Sequence, residues 1–182
     1  MKKIFIIFLI FFSYLNNLIA DERANKLNQL FNDLKKNNIS IAHNAEQEIW
    51  KIWMTHPNDE YLTMLLAKGS SLINNTNYSQ AIDVFSKVIN LDPSWAEAWN
   101  KRATVFYLIG DFEKSQKDID KVLKLEKRHF GALAGEGLVN IQLKNYNKAI
   151  ESYEKAKEIY PTMKSPDMMI KQIKELIKKQ SI

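Results

Sequence analysis

The fold is decided by the stretch Lys144-Asn-Tyr-Asn-Lys-Ala-Ile-Glu-Ser-Tyr-Glu-Lys-Ala156, whose pattern returns along the chain at intervals of 34 residues. The matching positions are Ala149, Ser115 and Ala81; Gly137, Ala103 and Gly69; Leu133, Trp99 and Leu65; Tyr146, Phe112 and Tyr78; Tyr153, Ile119 and Phe85; and Ala156, Val122 and Val88. Pro161 and Pro93 lie two periods apart, with Lys127 between them. A fixed period of this length indicates a solenoid of stacked repeats, and solenoids mainly present surfaces that hold other molecules.

Each period contains two stretches in which apolar residues recur at helical spacing. We predict units at about residues 62–95, 96–129 and 130–163. Their helices are expected at about residues 59–73, 78–90, 94–109, 112–125, 128–143 and 146–160. Gly110 and Asn145 stand in two of the turns, where glycine and asparagine tolerate a left-handed backbone.

Both ends of the repeat region are predicted to carry further helices. In residues 21–57, Ala45, Ile49, Ile52 and Pro57 have the same mutual spacing as Ala81, Phe85, Val88 and Pro93. We therefore interpret residues 21–57 as a degenerate repeat that caps the stack, because terminal repeats are often atypical. In residues 164–182, Met169, Ile173, Leu176 and Ile177 form one apolar face, which predicts a helix that covers the other end.

The stretches Pro93-Ser-Trp-Ala-Glu-Ala-Trp-Asn100 and Lys144 to Ala156 resemble the tetratricopeptide repeat (TPR) family. This resemblance implies an all-α fold, a right-handed α-solenoid of antiparallel helix pairs. The small residues at Gly69, Ala103 and Gly137 would let paired helices approach closely. With its N-terminal segment, the chain is similar to small exported TPR proteins of Gram-negative bacteria. We therefore expect a non-enzymatic scaffold that assists assembly or maintenance of a periplasmic or membrane complex.

The resemblance also implies a concave groove, lined by the first helix of each unit, in which a protein or peptide partner lies. Carried over by position, the expected partner-binding residues are Ser70, Asn74, Asn100, Lys101, Thr104, Tyr107, Leu138 and Gln142, and Glu97 faces the same groove. TPR domains that hold a terminal carboxylate use cations and amides at five positions, which here read Leu66, Ser70, Lys101, Gly131 and Gly135. One cation among these five positions argues against a clamp for two carboxylates.

A column of charged residues departs from the family pattern, since Lys68, Arg102 and Glu136 stand where leucine is usual. Two interpretations remain open. These side chains form a structural ladder of ion pairs that includes Asp118 or Asp120, with their stems buried and their charged ends in water. Alternatively, they form a charged row that a partner in the groove can reach.

The helix from Gly131 to Gly137 is unusually rich in small residues, which needs a reason because a helical glycine costs up to about 1 kcal/mol relative to alanine. The reason is either tight packing around Leu133 or room for a bulky partner side chain between Tyr107 and Phe130. Among the tryptophans, we expect Trp53 in the core, whereas Trp50 belongs either to the core or to an interaction patch.

The N-terminus has the composition of a secretory signal. Lys2 and Lys3 precede an apolar run from Ile4 to Phe12, and Ala20 offers a cleavage point before Asp21. The run is shorter than the roughly 20 residues that span a bilayer as a helix. We predict a signal peptide at residues 1–20 and a periplasmic mature protein. Alternatively, the segment stays uncleaved and anchors the protein to the inner membrane, facing the periplasm, as a tethered assembly factor.

Composition limits the other classes of function. The formal charge of +5 is too small for a nucleic-acid footprint, and the absence of cysteine excludes disulfides and thiolate chemistry. His43, His56 and His129 lack the spacing of metal ligands, and no catalytic motif is present, so we expect no metal, no cofactor and no enzyme. A role as an accessory domain of an enzyme is a weaker alternative. We expect a monomer, whose lysines at 171, 174, 178 and 179 are either solvated or in contact with anionic lipids.

Overall fold

A computed structural model describes residues 21–180 of the 182-residue chain, with side chains described through residue 179. All regular secondary structure in this part is helical. The helices are α1 (residues 21–34), α2 (Ile39–Met54), α3 (Glu60–Asn74), α4 (Tyr78–Leu91), α5 (Ala96–Leu108), α6 (Phe112–Leu125), α7 (Phe130–Gln142), α8 (Tyr146–Ile159) and α9 (Lys164–Gln180). The predicted signal segment, residues 1–20, lies outside the described residues. Between residues 21 and 180, no helix is long and apolar enough to cross a membrane.

The three predicted units are the helix pairs α3–α4, α5–α6 and α7–α8, and each pair closes around a small residue. A Cβ atom on Gly137 would lie 2.5 Å from Cε2 of Tyr153, and one on Gly69 would overlap the ring of Phe85 in the same way. Both rings are buried. Truncating a buried ring of this size costs about 3–5 kcal/mol, so the small residue contributes much of the stability of the first and third pairs.

The turns inside the three pairs share one backbone geometry, with a left-handed residue every 34 positions. Thr76, Gly110 and Lys144 have φ angles of 58°, 81° and 62°. After each of them, a backbone N–H returns to a carbonyl five residues earlier, from Asn77 to Leu72, from Asp111 to Phe106 and from Asn145 to Asn140. This arrangement satisfies helix-terminal carbonyls that would otherwise lack partners.

The N-terminal hairpin, formed by α1 and α2, lies across the repeats rather than beyond the first unit. Trp53 of α2 shares a buried cluster with Phe130, where α7 begins, and with Tyr160, where α8 ends. The indole nitrogen of Trp95, just before α5, donates to the carbonyl of Trp53 at 2.9 Å. The hydroxyl of Tyr160 donates to Glu46 at 3.1 Å. The expectation that residues 21–57 cap the stack as a further repeat is therefore wrong about their position.

The outer face of α3 is exposed, because no helix pair stacks there. Ser71 is exposed, whereas Val105 and Val139, one and two periods later, are buried between units. Lys68 is exposed as well, one period before the half-buried Arg102. Tyr61 and Met64 are exposed on the same helix, so this face of the first unit combines polar and apolar side chains.

The C-terminal helix α9 covers the other end, as predicted. Ile173 is fully buried, and it packs with Met169 and Ile170 against Ala149 and Tyr153 of α8. The lysines at 171, 174, 178 and 179 lie on the exposed side of α9.

The shared turn geometry predicts the effect of a glycine at position 76. A left-handed backbone costs a non-glycine residue roughly 1–2 kcal/mol, part of which the greater flexibility of glycine in the unfolded chain offsets. We expect Thr76→Gly to raise the free energy of unfolding by about 0.5–1 kcal/mol, measured by urea denaturation. Gly110→Thr is the matched control, because a Cβ there meets no atom within 4 Å, and it should be destabilising through backbone strain alone. A Thr76→Gly protein less stable than the original would contradict this account.

Candidate functional site: a pocket between α5 and α7

A small cavity of about 90 Å³ opens between α5 and α7, the first helices of the second and third units. We call it the groove pocket. Its lining residues are Asn100, Ala103, Thr104, Tyr107, Ser115, Ile119, Gly131, Gly135, Leu138 and Val139. None of these side chains is charged. The pocket therefore combines an apolar interior with a few amide and hydroxyl groups, which is the usual character of a binding site.

The structure brings together half of the eight residues predicted from position. Asn100, Thr104, Tyr107 and Leu138 line the groove pocket. Their role in binding a partner stays a prediction.

The other four predicted residues lie outside the pocket. Lys101 stands beside its end, with Nζ 6.0 Å from the ring centroid of Trp50. Gln142 is exposed one helical turn beyond Leu138. Ser70 and Asn74 lie on α3, and the Ser70 hydroxyl donates to the carbonyl of Leu66 at 3.0 Å.

The three glycines of α7 have three different surroundings. A Cβ on Gly131 would lie 2.6 Å from Cη2 of Trp50, so this glycine admits an indole ring of the N-terminal hairpin. Gly137 admits the ring of Tyr153, as described above. A Cβ on Gly135 would meet only Cδ1 of Ile119, at an ordinary 3.7 Å, and this glycine borders the groove pocket. Neither interpretation of the small residues therefore applies to the whole helix.

Aromatic rings close the groove beside Gly131. The rings of Trp53 and His129 are stacked, with centroids 4.0 Å apart and an angle of 9° between their planes. Trp50 meets His129 and Phe130 edge-on, at 5.6 and 5.4 Å. Phe130 is buried in this cluster, so the expectation that it walls an open space for a partner is wrong. Trp53 lies in the core as expected, and Trp50 is half-buried.

Glu97, which the sequence placed in the groove, is instead fully buried beneath this cluster. Its carboxylate accepts a hydrogen bond from Nε2 of His129 at 3.0 Å and pairs with Nζ of Lys101 at 3.3 Å. Nδ1 of His129 accepts the backbone N–H of Ala132 at 3.0 Å, so Nε2 carries the proton. Burial raises the pKa of Glu97, but the hydrogen bond from His129 and the positive charge of Lys101 outweigh it and hold the pKa below its ordinary value.

Arg102 and Glu136 of the charged column lie where neighbouring helices contact each other, outside the groove pocket. Arg102 donates from Nε and Nη2 to Asp118 at 2.7 and 2.8 Å, and from Nη1 to Ser86 at 3.0 Å. It thereby ties α5 to both α4 and α6. This geometry agrees with the structural interpretation of the column, in which an ion pair with Asp118 or Asp120 is expected. The partner is Asp118.

Glu136 occupies the equivalent place one unit later. It accepts from Ser152 at 2.9 Å and from Gln116 at 3.1 Å, and it pairs with Lys148 at 3.2 Å. Lys68 lies on the outer face of α3 and takes no part in the contacts that Arg102 and Glu136 make.

Two of the three histidines, His56 and His129, have structural surroundings, whereas His43 is exposed. His56 holds Asp92 through Nε2 at 2.8 Å and accepts the N–H of Asn58 through Nδ1 at 3.2 Å. Both ring nitrogens of His129 are engaged in the same manner. Between residues 21 and 179, no group of three histidine, aspartate or glutamate side chains is placed to hold a metal ion.

The place where the N-terminal hairpin packs was not predicted from the sequence. Trp95, His129 and Met163 stand 34 residues apart, each beside the start of the next helix. Trp95 contacts the hairpin by its hydrogen bond to Trp53 and His129 by stacking, and Met163 packs against the buried cluster that the hairpin forms with Phe130 and Tyr160. Their signal in the sequence is a column of large side chains at the last position of each unit.

Comparisons with known proteins agree with this architecture. Family models described as tetratricopeptide repeat match residues 66–115 and 130–163. A TPR repeat-containing protein from Rhizobium etli is 29% identical over 166 residues, which cover 87% of this chain and 81% of that protein. Tetratricopeptide repeat protein 12 from Mus musculus is 32% identical over 101 residues, covering 56% of this chain but only 14% of the longer protein.

Among solved structures, a similar one is the first TPR of Spaghetti (RPAP3) bound to the HSP90 peptide SRMEEVD. It superimposes with a TM-score of 0.64 at 20% identity, over 66% of this chain and 95% of that one. At this identity the likeness concerns the fold.

The three glycine environments predict three different responses to alanine. We expect Gly135→Ala to raise the free energy of unfolding by up to about 1 kcal/mol, because the methyl group fits and alanine favours the helix. Gly131→Ala and Gly137→Ala should lower it by about 1–3 kcal/mol, because each methyl group collides with a packed ring. Thermal and urea denaturation of the three variants measure this order, and equal effects at positions 131 and 135 would contradict it.

The buried carboxylate predicts a pH-dependent contribution to stability. Because the pKa of Glu97 is lowered on folding, ionised Glu97 stabilises the protein above the unfolded pKa of about 4.3, and this contribution is lost as the pH falls through the folded pKa. Glu97→Gln should therefore cost about 2 kcal/mol at pH 7, with a difference from the original protein that shrinks below about pH 4. Glu113→Gln, an exposed change at the same position of α6, is the control. A difference that is constant between pH 7 and pH 3 would contradict the assignment.

Proposed function

We propose that this chain, which carries tetratricopeptide repeats, is a non-enzymatic scaffold that binds a protein or peptide segment at the groove pocket. The single observation that carries the proposal is the cavity itself, which lies between the first helices of two adjacent units and is lined without any charged side chain. A preformed recess with an apolar interior and a polar rim loses little of its freedom when a segment binds.

The relatives support peptide binding in general but not the same ligand. One structurally similar domain is bound to an acidic HSP90 peptide. In this chain, Leu66, Gly131 and Gly135 stand at positions where such domains carry cations or amides, and Lys101 already neutralises buried Glu97. We therefore expect the partner segment to be uncharged where it meets the pocket.

The polar groups at the pocket suit binding better than catalysis. The hydroxyl of Thr104 donates to the carbonyl of Asn100 at 3.0 Å, and that of Ser115 donates to the carbonyl of Ala103 at 2.8 Å. A nucleophilic hydroxyl needs a neighbouring base, and none of the residues that line the groove pocket is a histidine, a carboxylate or a lysine.

We place this activity in the bacterial periplasm, where the scaffold would serve assembly or maintenance of an envelope complex. The support is the composition of residues 1–20, with two lysines before an apolar run and a small residue at Ala20. N-terminal sequencing of the native protein decides between export and tethering. A start at Asp21 indicates cleavage, and an intact Met1 indicates a membrane anchor.

Crosslinking from the groove tests the binding proposal. With p-benzoylphenylalanine at Tyr107 or at Gln142, we expect one recurring partner adduct in intact cells, because both positions border the groove pocket or its open end. The same group at Glu113, exposed on α6, should not give that adduct. Gly135→Leu should abolish it, because the added side chain fills the pocket. Adducts that are absent, or identical from all three positions, would contradict the proposal.

A further inference from the structure

Two recesses of side-chain size lie next to each other on α7. Gly131 and Gly135 are four residues apart and therefore face the same direction, one helical turn from each other. At each of them the missing side chain leaves the backbone open to a group from elsewhere. The recess over Gly131 is occupied and the recess over Gly135 is open, although α7 forms both.

The recess over Gly131 is filled from within the chain by Trp50. Its Cη2 and Cζ2 atoms lie 2.6 and 2.9 Å from where a Cβ of Gly131 would be. His129 and Phe130 hold the indole by edge-on contacts. A side chain of a separate segment of the chain thus lies on the groove face of α7 as a bound ligand would.

Trp50 is held firmly, because the N-terminal hairpin that carries it is anchored at several separate points. Trp53 receives a hydrogen bond from Trp95, Glu46 receives one from Tyr160, and Asn28 receives one from Arg128 at 2.7 Å. The hairpin also covers buried Glu97. Lifting it would expose a large apolar cluster, so the hairpin is a permanent wall rather than a lid.

The recess over Gly135 lies in the groove pocket, which Gly131 also borders, and the surroundings of this pocket select the chemistry of its occupant. Ala103, Ile119 and Val139 are buried apolar neighbours, and no charged side chain lines the cavity. A charged group placed there would lose water without gaining a partner, which is costly. The volume of about 90 Å³ is also smaller than the roughly 150 Å³ of an apolar cavity that takes benzene. An aliphatic side chain therefore fits better than an aromatic one.

We propose that the groove contains two adjacent side-chain subsites, of which Trp50 permanently fills the one over Gly131, while the one over Gly135 receives a single uncharged aliphatic side chain of the partner. This proposal rests on the proposed function and names the partner's chemistry. Because Trp50 blocks the groove at Gly131, the bound segment ends or turns away there. Trp50 is then a residue that determines specificity without itself contacting the aliphatic side chain.

Capped amino acids that mimic one side chain within a peptide test the two subsites separately. We expect N-acetyl-leucinamide to shift the NMR amide signals of Gly135 and Leu138 in the full chain, with a dissociation constant on the order of a few millimolar. The amide of N-acetyl-aspartic acid should leave these signals unchanged. Gly135→Leu should abolish the response to N-acetyl-leucinamide while keeping the melting temperature of the original protein or raising it.

The subsite over Gly131 is tested by emptying it. In Trp50→Ala, N-acetyl-tryptophanamide should raise the melting temperature, whereas the original protein should show no rise. Trp50→Leu, which keeps an apolar side chain in the recess, should respond weakly. A rise in the melting temperature of the original protein would show that Trp50 is not a fixed occupant and would overturn the proposal.

The proposal is equally overturned if leucine and aspartate probes shift Gly135 to the same extent or if neither does. These outcomes are distinct from failure of the proposed function. A partner crosslinked from Tyr107 without any leucine response would keep the scaffold and remove the aliphatic subsite. A leucine response without a crosslinked partner would remove the scaffold and keep the recess.

Discussion

The repeats depend on close approach between the two helices of each unit. In the first and third units, a glycine admits a buried ring from the second helix, Phe85 over Gly69 and Tyr153 over Gly137. In the middle unit, Ala103 accepts the hydroxyl of Ser115 through its carbonyl, and the smaller Ile119 replaces the ring. Because each unit buries its apolar face only against its neighbours, this local fit is what allows the stack to form. The stack ends at α3, whose outer face is exposed, and at α9, which packs against α8.

The N-terminal hairpin adds a constraint that repeats alone do not impose. It joins the second and third units along one edge, and its aromatic rings exclude water from Glu97 and His129. A buried carboxylate is tolerated because His129, Asn100 and Lys101 all donate to it. This pairing fixes the start of α5 against the start of α7, so the same contacts that stabilise the hairpin also set the shape of the groove between these helices.

As a result, no charged side chain lines the groove pocket. Lys101, the one cation at the positions that bind a terminal carboxylate in similar domains, is committed to Glu97. Arg102 and Glu136, whose charges made them candidates for contact with a partner, instead tie helices together at the seams. What is left for a partner is the recess at Gly135 and the polar rim formed by Asn100, Thr104 and Tyr107. Charge at this groove therefore serves the fold, and shape and apolar surface are left for recognition.

The sequence by itself determined the helices of the repeats within about two residues, the small and aromatic columns and the C-terminal cap, because each of these depends on residues that are near in sequence or repeat at a fixed spacing. It also brought together Asn100, Thr104, Tyr107 and Leu138, which line the groove pocket, since their placement follows from position in the repeat. It did not predict which residues are left-handed in the turns, since Thr76 and Lys144 are, whereas Asn145 has a φ of −86°. Only the tertiary structure decided where the N-terminal hairpin lies, that Glu97 is buried, and that Trp50 rather than a partner covers Gly131. The contacts responsible join residues as far as 100 and 114 positions apart, between Arg128 and Asn28 and between Tyr160 and Glu46. Such pairs have no periodic signature, so packing in three dimensions had to select them.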